Sequence, residues 1–274
     1  MQSLSNHIRA LVKSIVTVGL LSAVCFTASV ATGLAGGIAA QASTQKYSIT
    51  DLGTLGGSTT VAYGINGNGQ IVGKSLVKLK KGYTYHAFLY SAGTMTDLGT
   101  LGGDYSEARA INKYGDVAGF SNLCAGCYPY HAFLYHNGHM KDLGSLGGGS
   151  SNAYGINDFG EVVGDSYTAS NQDHAFLYSG GKMTDLGSFG DASVAEAINT
   201  SGVVVGTAYV VSKSTAAWHA FIYTGGTLLD LNTLIPANTG WLLTEATGIN
   251  DTGQIVCNAT NSSGYTHAFL LNPI

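Results

Sequence analysis

Apolar and polar positions alternate along this chain in short runs, each closed by glycine or asparagine. A period of two over a few residues predicts β-strands with two unlike faces rather than helices. Three runs recur in a fixed order. Gly/Ala-Ile-Asn ends at Asn66, Asn112, Asn157, Asn199 and Asn250. His-Ala-Phe begins at His86, His131, His174, His219 and His267. Asp-Leu-Gly/Asn begins at Asp51, Asp97, Asp142, Asp185 and Asp230. Equivalent residues stand 42 to 51 apart, so five units account for nearly all of the chain after its first segment.

Each unit holds four strand candidates. In the first unit strand a covers 62–66, strand b 70–73, strand c 86–90 and strand d 94–99. Strands a and b are joined by three residues ending in glycine, at 67–69, 113–115, 158–160, 200–202 and 251–253. Strands c and d are joined the same way at 91–93, 136–138, 179–181 and 224–226. A three-residue hairpin loop needs a left-handed last residue, which glycine supplies at little steric cost. The asparagine before each a–b turn is placed to bond back to the turn backbone.

Four strands in a period of this length predict a propeller blade. The expected fold is all-β, a five-bladed β-propeller with the Ala- and Gly-rich strand a innermost and strand d at the rim. The fifth unit supplies a (246–250), b (254–257) and c (267–271) but no d. Residues 47–53 read as a strand d with no unit before them, so this N-terminal strand is expected to close the last blade. A β-solenoid, the other architecture such a period allows, leaves both observations unexplained.

Turn lengths separate two faces. The a–b and c–d turns are short and uniform. The b–c connections, at 75–85, 121–130, 166–173, 208–218 and 258–266, differ in every unit. Variable connections on a rigid scaffold are where binding sites concentrate. These carry Tyr83, Tyr85, Tyr128, Tyr130, Tyr167, Tyr209, Trp218 and Tyr265, whose faces suit sugar rings or peptides. The competing reading is that individual rings pack under their own loops.

The other constellations favour framework roles. Five symmetry-related histidines lie too far apart to share one ion with bonds of about 2.0–2.1 Å, so each is expected to bond within its blade or to its neighbour. The repeated aspartates read as acceptors for backbone N–H groups rather than as paired catalytic carboxyls. Acids that break the repeat are Glu107, Glu196 and Glu245, with Asp104 and Asp191 in crossovers, a thin basis for an enzyme. The glycine-rich crossovers precede no helix and carry no lysine placed as in a phosphate loop. No catalytic residue, metal or cofactor is assigned. Cys124 and Cys127 read as a disulfide, with a redox pair or a metal pair aided by His131 as alternatives. Cys257 reads as a buried free thiol, and Lys78, Lys80 and Lys81 as a solvated loop tip.

Composition adds the compartment. His7, Arg9 and Lys13 precede a long apolar stretch that ends at Ala40-Gln41-Ala42. Residues 1–42 read as a signal peptide cleaved before Ser43, leaving one five-repeat domain over 43–274. An uncleaved membrane anchor is the alternative. Cys25 follows a poor lipobox. The whole chain carries a formal −4, and residues 43–274, with 10 basic and 16 acidic residues, carry −6. That balance disfavours nucleic acid. The expected location is secreted, extracellular or periplasmic.

The recurring His-Ala-Phe-Leu-Tyr, Asp-Leu-Gly-Thr-Leu-Gly-Gly and Gly-Ile-Asn-x-x-Gly segments resemble the HAF repeat family of extracellular bacterial proteins. The resemblance spans 47–271. It weakens in the fourth and fifth units, at 188–191 and 233–236, and at 267–271, where Leu271 replaces tyrosine. It implies export and repetition, and no particular ligand. The functional expectation is a non-catalytic binding or scaffold module, monomeric, with an extracellular protein or polysaccharide as partner. It is expected to touch the membrane only through the leader, and only where the leader stays uncleaved. The alternative is a glycan-binding or glycan-hydrolysing propeller that uses the b–c face.

Overall fold

The computed structural model describes residues 46–80, 82–211 and 216–274. The leader, Cys25, Lys81 and residues 212–215 of the fourth b–c connection lie outside the described residues.

Five antiparallel sheets follow one another along the chain. The first comprises β1 (Gly56–Ile65), β2 (Ile71–Lys78), β3 (Tyr83–Ser91) and β4 (Thr94–Gly99). The second comprises β5 (Ser106–Ile111), β6 (Val117–Asn122), β7 (Tyr130–His136) and β8 (His139–Asp142). The third comprises β9 (Gly147–Ile156), β10 (Val162–Thr168), β11 (Asp173–Ser179) and β12 (Lys182–Gly187). The fourth comprises β13 (Gly190–Ile198), β14 (Val204–Val211), β15 (Ala216–Thr224) and β16 (Thr227–Asp230). The fifth has three strands, β17 (Trp241–Ile249), β18 (Ile255–Asn261) and β19 (Thr266–Leu271).

Two expectations are corrected. Residues 47–53 form no strand, and the fifth sheet stays three-stranded. A strand d exists only beside a strand c, and the first and fifth sheets do not pack on one another as consecutive sheets do. The expected b–c loops are also partly strand, most of all the first and fourth. Their alternating β-branched and aromatic residues extend each hairpin, so that β2 and β3 pair out to Lys78 and Tyr83.

Each pair of consecutive sheets encloses one apolar core. Between the first and second sheets lie Val72, Ala87 and Leu98 from one side and Ala108, Val117 and Phe133 from the other. The same positions meet in the next gap, as Ala118, Ala132 and Leu143 against Ala153, Val162 and Phe176. Two further cores repeat the arrangement up to Cys257 and Ile255. Strand c supplies the large anchors: Phe88, Phe133, Phe176 and Phe221 are fully buried.

Polar bonds repeat with the cores. In the first four sheets the strand-c histidine meets the aspartate of strand d: His86–Asp97 at 2.8 Å, His131–Asp142 at 2.8 Å, His174–Asp185 at 2.9 Å and His219–Asp230 at 2.7 Å. The aspartates also accept from the crossover backbone, as Gly99 N–H to Asp97 at 2.8 Å. Each turn asparagine accepts two N–H groups of its own turn, as Asn66 Oδ1 does from Asn68 and Gln70 at 3.0 Å. Its Nδ2 then donates to the next sheet: Asn66 to Asn112 O at 2.9 Å, Asn112 to Asn157 O at 3.1 Å, Asn157 to Asn199 O at 3.0 Å and Asn199 to Asn250 O at 3.2 Å. This asparagine ladder fixes the sheet-to-sheet register on the plain face.

Candidate functional site

Within this regular frame one row of positions changes chemistry from sheet to sheet. It is the residue after the strand-b glycine (Cys257 in the fifth sheet) together with its partner in strand a. The pairs are Val61/Lys74, Glu107/Phe120, Asn152/Asp165, Val194/Thr207 and Glu245/Asn258. Two residues further along strand a come Tyr63, Arg109, Tyr154, Glu196 and Thr247. Repetition elsewhere keeps the frame, so unlike residues here are free to serve a ligand.

At the first gap the row is an ion cluster. Lys74 Nζ donates to Glu107 Oε2 at 2.6 Å, and the Tyr105 hydroxyl donates to the same oxygen at 2.6 Å. Arg109 Nε lies 2.8 Å from Glu107 Oε1, a charge contact out of line for a hydrogen bond. The Glu107 side chain is only 2% exposed, so both cations serve one buried carboxylate. Burial acts to lower the Lys74 pKa, but the bonded Glu107 carboxylate outweighs it and the net shift is upward. Burial and Glu107 together raise the Tyr105 phenol. The Arg109 guanidinium sits 4.6 Å from the Tyr63 ring centre, and Lys74 5.2 Å from that of Tyr85.

Toward the third and fifth sheets the row turns acidic. Asp165, almost wholly buried, accepts from Asn152 Nδ2 at 3.1 Å, and burial raises its pKa. Asp173 is pushed up to about 7 by burial and by the Asp165 charge. Glu196 is pushed up to about 7 by burial and then by Glu245 and Asp165. Glu245 accepts from Asn258 Nδ2 at 2.9 Å. The row thus runs from two cations on one carboxylate to a group of carboxyls, of which Asp173 and Glu196 are held well above the usual carboxylate range by burial and neighbouring charge.

Some of the tyrosines singled out in the sequence converge beside the ion cluster. Tyr85 and Tyr130 meet Tyr105 edge-on, with ring centres 6.5 and 5.7 Å apart. Tyr128 stands edge-on to Tyr130 at 5.0 Å, and Phe120 lies under Tyr105 at 6.4 Å. Tyr128 is exposed, and Tyr83, on β3, is exposed as well. Tyr85, Tyr130, Tyr167 and Trp218 lie on strands, while Tyr128 and Tyr265 lie on connections. Trp218 pairs instead with Tyr209 at 5.2 Å, on the fourth sheet. Tyr167 lies opposite Asp173 on the third. Tyr265 is exposed on the fifth and joins no ring cluster among the described residues.

Cys124 and Cys127 form a disulfide beside these rings. Asp104 accepts from Gly126 N–H at 3.1 Å and from Asn122 Nδ2 at 2.7 Å, tying the crossover to the disulfide loop. Cys257 is a buried free thiol, its pKa pushed up to about 11 by burial.

The sequence reading missed Lys74, Arg109 and Tyr105 altogether and treated Glu107 only as a stray acid. The signal was available: an unlike residue after each strand-b glycine, within strands otherwise repeated. It also missed a cleft of about 500 Å³ at the fourth-to-fifth crossover, lined among others by Pro236, Asn238, Trp241 and Ser262.

Comparison with known protein families and with curated proteins finds no match. Among solved structures the chain is similar to the crystal structure of TolB from Acinetobacter baumannii, at 11% identity and a TM-score of 0.45. That alignment covers 77% of this chain and 54% of the other, so the chain spans about half the length of the structure it matches.

Proposed function

We propose that this chain is an exported, non-catalytic binding module of the HAF repeat kind, whose five sheets act as propeller blades and whose aromatic cluster holds a polysaccharide. The observation that carries this is the convergence of Tyr85, Tyr105, Tyr128 and Tyr130 beside the Lys74–Glu107–Arg109 cluster. Rings held edge-on to one another stay in place, and the exposed Tyr128 among them offers a face to a sugar ring. Fixed charges beside them orient hydroxyl groups. The disulfide in the same loop supports an oxidising compartment, and the leader read over residues 1–42 supports export.

Affinity electrophoresis of the exported chain through gels containing neutral and acidic polysaccharides tests the reading. Retardation by at least one polymer, lowered about tenfold in affinity by Tyr130→Ala, is expected. That corresponds to about 1.4 kcal/mol, the scale of one aromatic contact. Unretarded migration in every polymer overturns it.

The protonated carboxyls favour a second reading, glycan hydrolysis with Glu196 or Asp173 as general acid. Release of reducing ends by the purified chain, abolished by Glu196→Gln or Asp173→Asn, would establish that reading in place of the first.

A further inference from the structure

The two ends of the sheet series are each other's missing partner. In every gap between sheets, strand-b and strand-c residues of one sheet cover strand a of the next. On the fifth sheet the equivalent face is bare. Val256 is 45% exposed where Val72, Val163 and Val205 are fully buried, and Leu270 is 56% exposed. Ala268 is exposed where Ala87, Ala132, Ala175 and Ala220 are fully buried. The opposite face of the first sheet, although its Phe88 is fully buried, is bare in the complementary way along strand a. Ile65 is 68% exposed where Ile198 is 8% exposed, and Ala62 is exposed where Ala108, Ala153, Ala195 and Ala246 are buried.

Polar groups at the two ends match as well. Asp51 already has the local geometry of a strand-d terminus. Its Oδ1 accepts from Gly53 N–H at 2.9 Å, as Asp97 accepts from Gly99. Leu55 N–H bonds Ser75 Oγ as Leu101 N–H bonds Ser121 Oγ, both at 2.9 Å. Thr60 Oγ1 bonds Gly53 O at 2.9 Å, in the place where Ser106 Oγ bonds Gly99 O. Asp51 has no histidine. His267, the one strand-c histidine without an aspartate among the described residues, stacks on Trp241 at 4.4 Å instead. Along β19, Ala268 N–H lacks the hydroxyl that Ser106 gives Ala87 at 2.8 Å and Ser151 gives Ala132 at 2.9 Å. Asn250 Nδ2 bonds Gln254 at 2.9 Å, as Asn66 Nδ2 bonds Gln70 at 2.7 Å, but among the described residues it has no carbonyl of a next sheet such as Asn66 finds in Asn112.

We infer that the fifth sheet of one copy docks on the first sheet of a second copy, with Asp51–Gly53 pairing along β19 as its fourth strand. His267 then meets Asp51 of the second copy, Ala268 N–H meets its Thr60, and Asn250 meets the carbonyl of its Asn66. The contact is heterologous, head to tail, and so extends or closes by symmetry over several copies. A second copy rather than the chain's own first sheet is the occupant for a packing reason. The four existing gaps are filled by apolar cores that repeat one geometry, three of them around a fully buried phenylalanine (Phe133, Phe176 and Phe221), and the first and fifth sheets do not pack on one another as consecutive sheets do. Closing one chain on itself would require every gap to repack, whereas docking a second copy disturbs none. It also covers an unpaired strand edge and two apolar faces. This replaces the monomer expected from sequence.

The register of the existing sheets dictates the test. Leu89 pairs with Thr96 and Leu177 with Thr184, so Leu270 of one copy is to face Thr50 of the next. The exported chain is prepared as Thr50→Cys, as Leu270→Cys and as the double variant, and oxidised. Disulfide-linked heterodimers from an equimolar mixture of the single variants are expected, with a ladder from the double variant. Sedimentation of the unmodified chain should give a mass above the monomer that rises with concentration. Val256→Glu, at an exposed position of the free face, should return it to monomer without lowering its unfolding midpoint. A monomer at all concentrations, or an intrachain cross-link in the double variant, overturns the inference.

Discussion

Lys74 of the first sheet and Glu107 of the second are joined by a 2.6 Å hydrogen-bonded ion pair that crosses the gap between them. Burying an acid is costly unless cations and hydrogen bonds compensate, and Glu107 has Lys74, Arg109 and Tyr105. Removing the acid strands two cations. Glu107→Ala is expected to lower stability by about 3 kcal/mol, the low end of the range for breaking a buried pair, because both cations keep some access to water. Urea unfolding checks it. Lys74→Met together with Glu107→Leu should restore much of the loss, since an apolar pair of similar size removes both desolvation costs.

The acidic half of the row fixes how stability responds to pH. Asp173 and Glu196 stand at about 7 in the folded chain, above their ordinary 3.8 and 4.5. The folded state therefore holds protons that the unfolded chain releases. The stability this gives is complete below about 4 and is lost as pH rises through 7. Asp97 acts in the opposite sense. Burial would raise it, but the bonds from His86 and from Gly99 N–H hold it below 3.8, so its contribution is lost only as pH falls through that region. The thermal midpoint should accordingly fall by about 3 °C between pH 5 and pH 8, with partial solvent access limiting the effect. Asp173→Asn should flatten that fall and raise the midpoint at pH 8. An unchanged slope in the variant would refute the assignment.

The strands and turns were legible because they rest on local chemistry. The expected strand d at 94–99 is Thr94–Gly99, and each asparagine-to-turn bond forms as its position implies. Strand lengths were underestimated because residues such as Tyr83 and Tyr130 read equally well as loop aromatics and as strand faces. The ion cluster was not legible because Lys74 and Glu107, 33 residues apart, are joined only by the sheet-to-sheet register. Residues 47–53 were misplaced for the same reason: composition identifies a strand d but not the strand it will pair with.

The strand-b glycines carry a constraint that composition alone hides. A bulge in strand a brings the Asn152 carbonyl against Gly164, where a Cβ would collide with it. Gly73, Gly119 and Gly206 meet the carbonyls of Val61, Glu107 and Val194 in the same way. Gly164→Ala is expected to cost about 3 kcal/mol through overpacking. Gly180→Ala, at a hairpin turn with φ +59° and open space around it, should cost about 1 kcal/mol through backbone strain alone. Urea midpoints of the two variants should differ in that order, and equal midpoints would show that the bulge relaxes to admit a methyl group.

The disulfide offers a way to separate loop order from fold stability. Cys124 and Cys127 are three residues apart, so cross-linking them removes little chain entropy, about 2 kcal/mol at most on the loop-closure estimate. The strands on either side hold their own ladders, and the restrained segment is short, so the gain is confined to the loop. Cys124→Ser with Cys127→Ser should leave the global unfolding midpoint within about 0.5 kcal/mol of the parent. Amide exchange at Gly126, whose N–H is held by Asp104 at 3.1 Å, should quicken by about tenfold or more. Tyr128 and Tyr130 leave the same loop, so polysaccharide retardation should weaken along with it. Faster exchange with unaltered retardation would mean that the rings are positioned by Tyr105 and Phe120 without help from the disulfide.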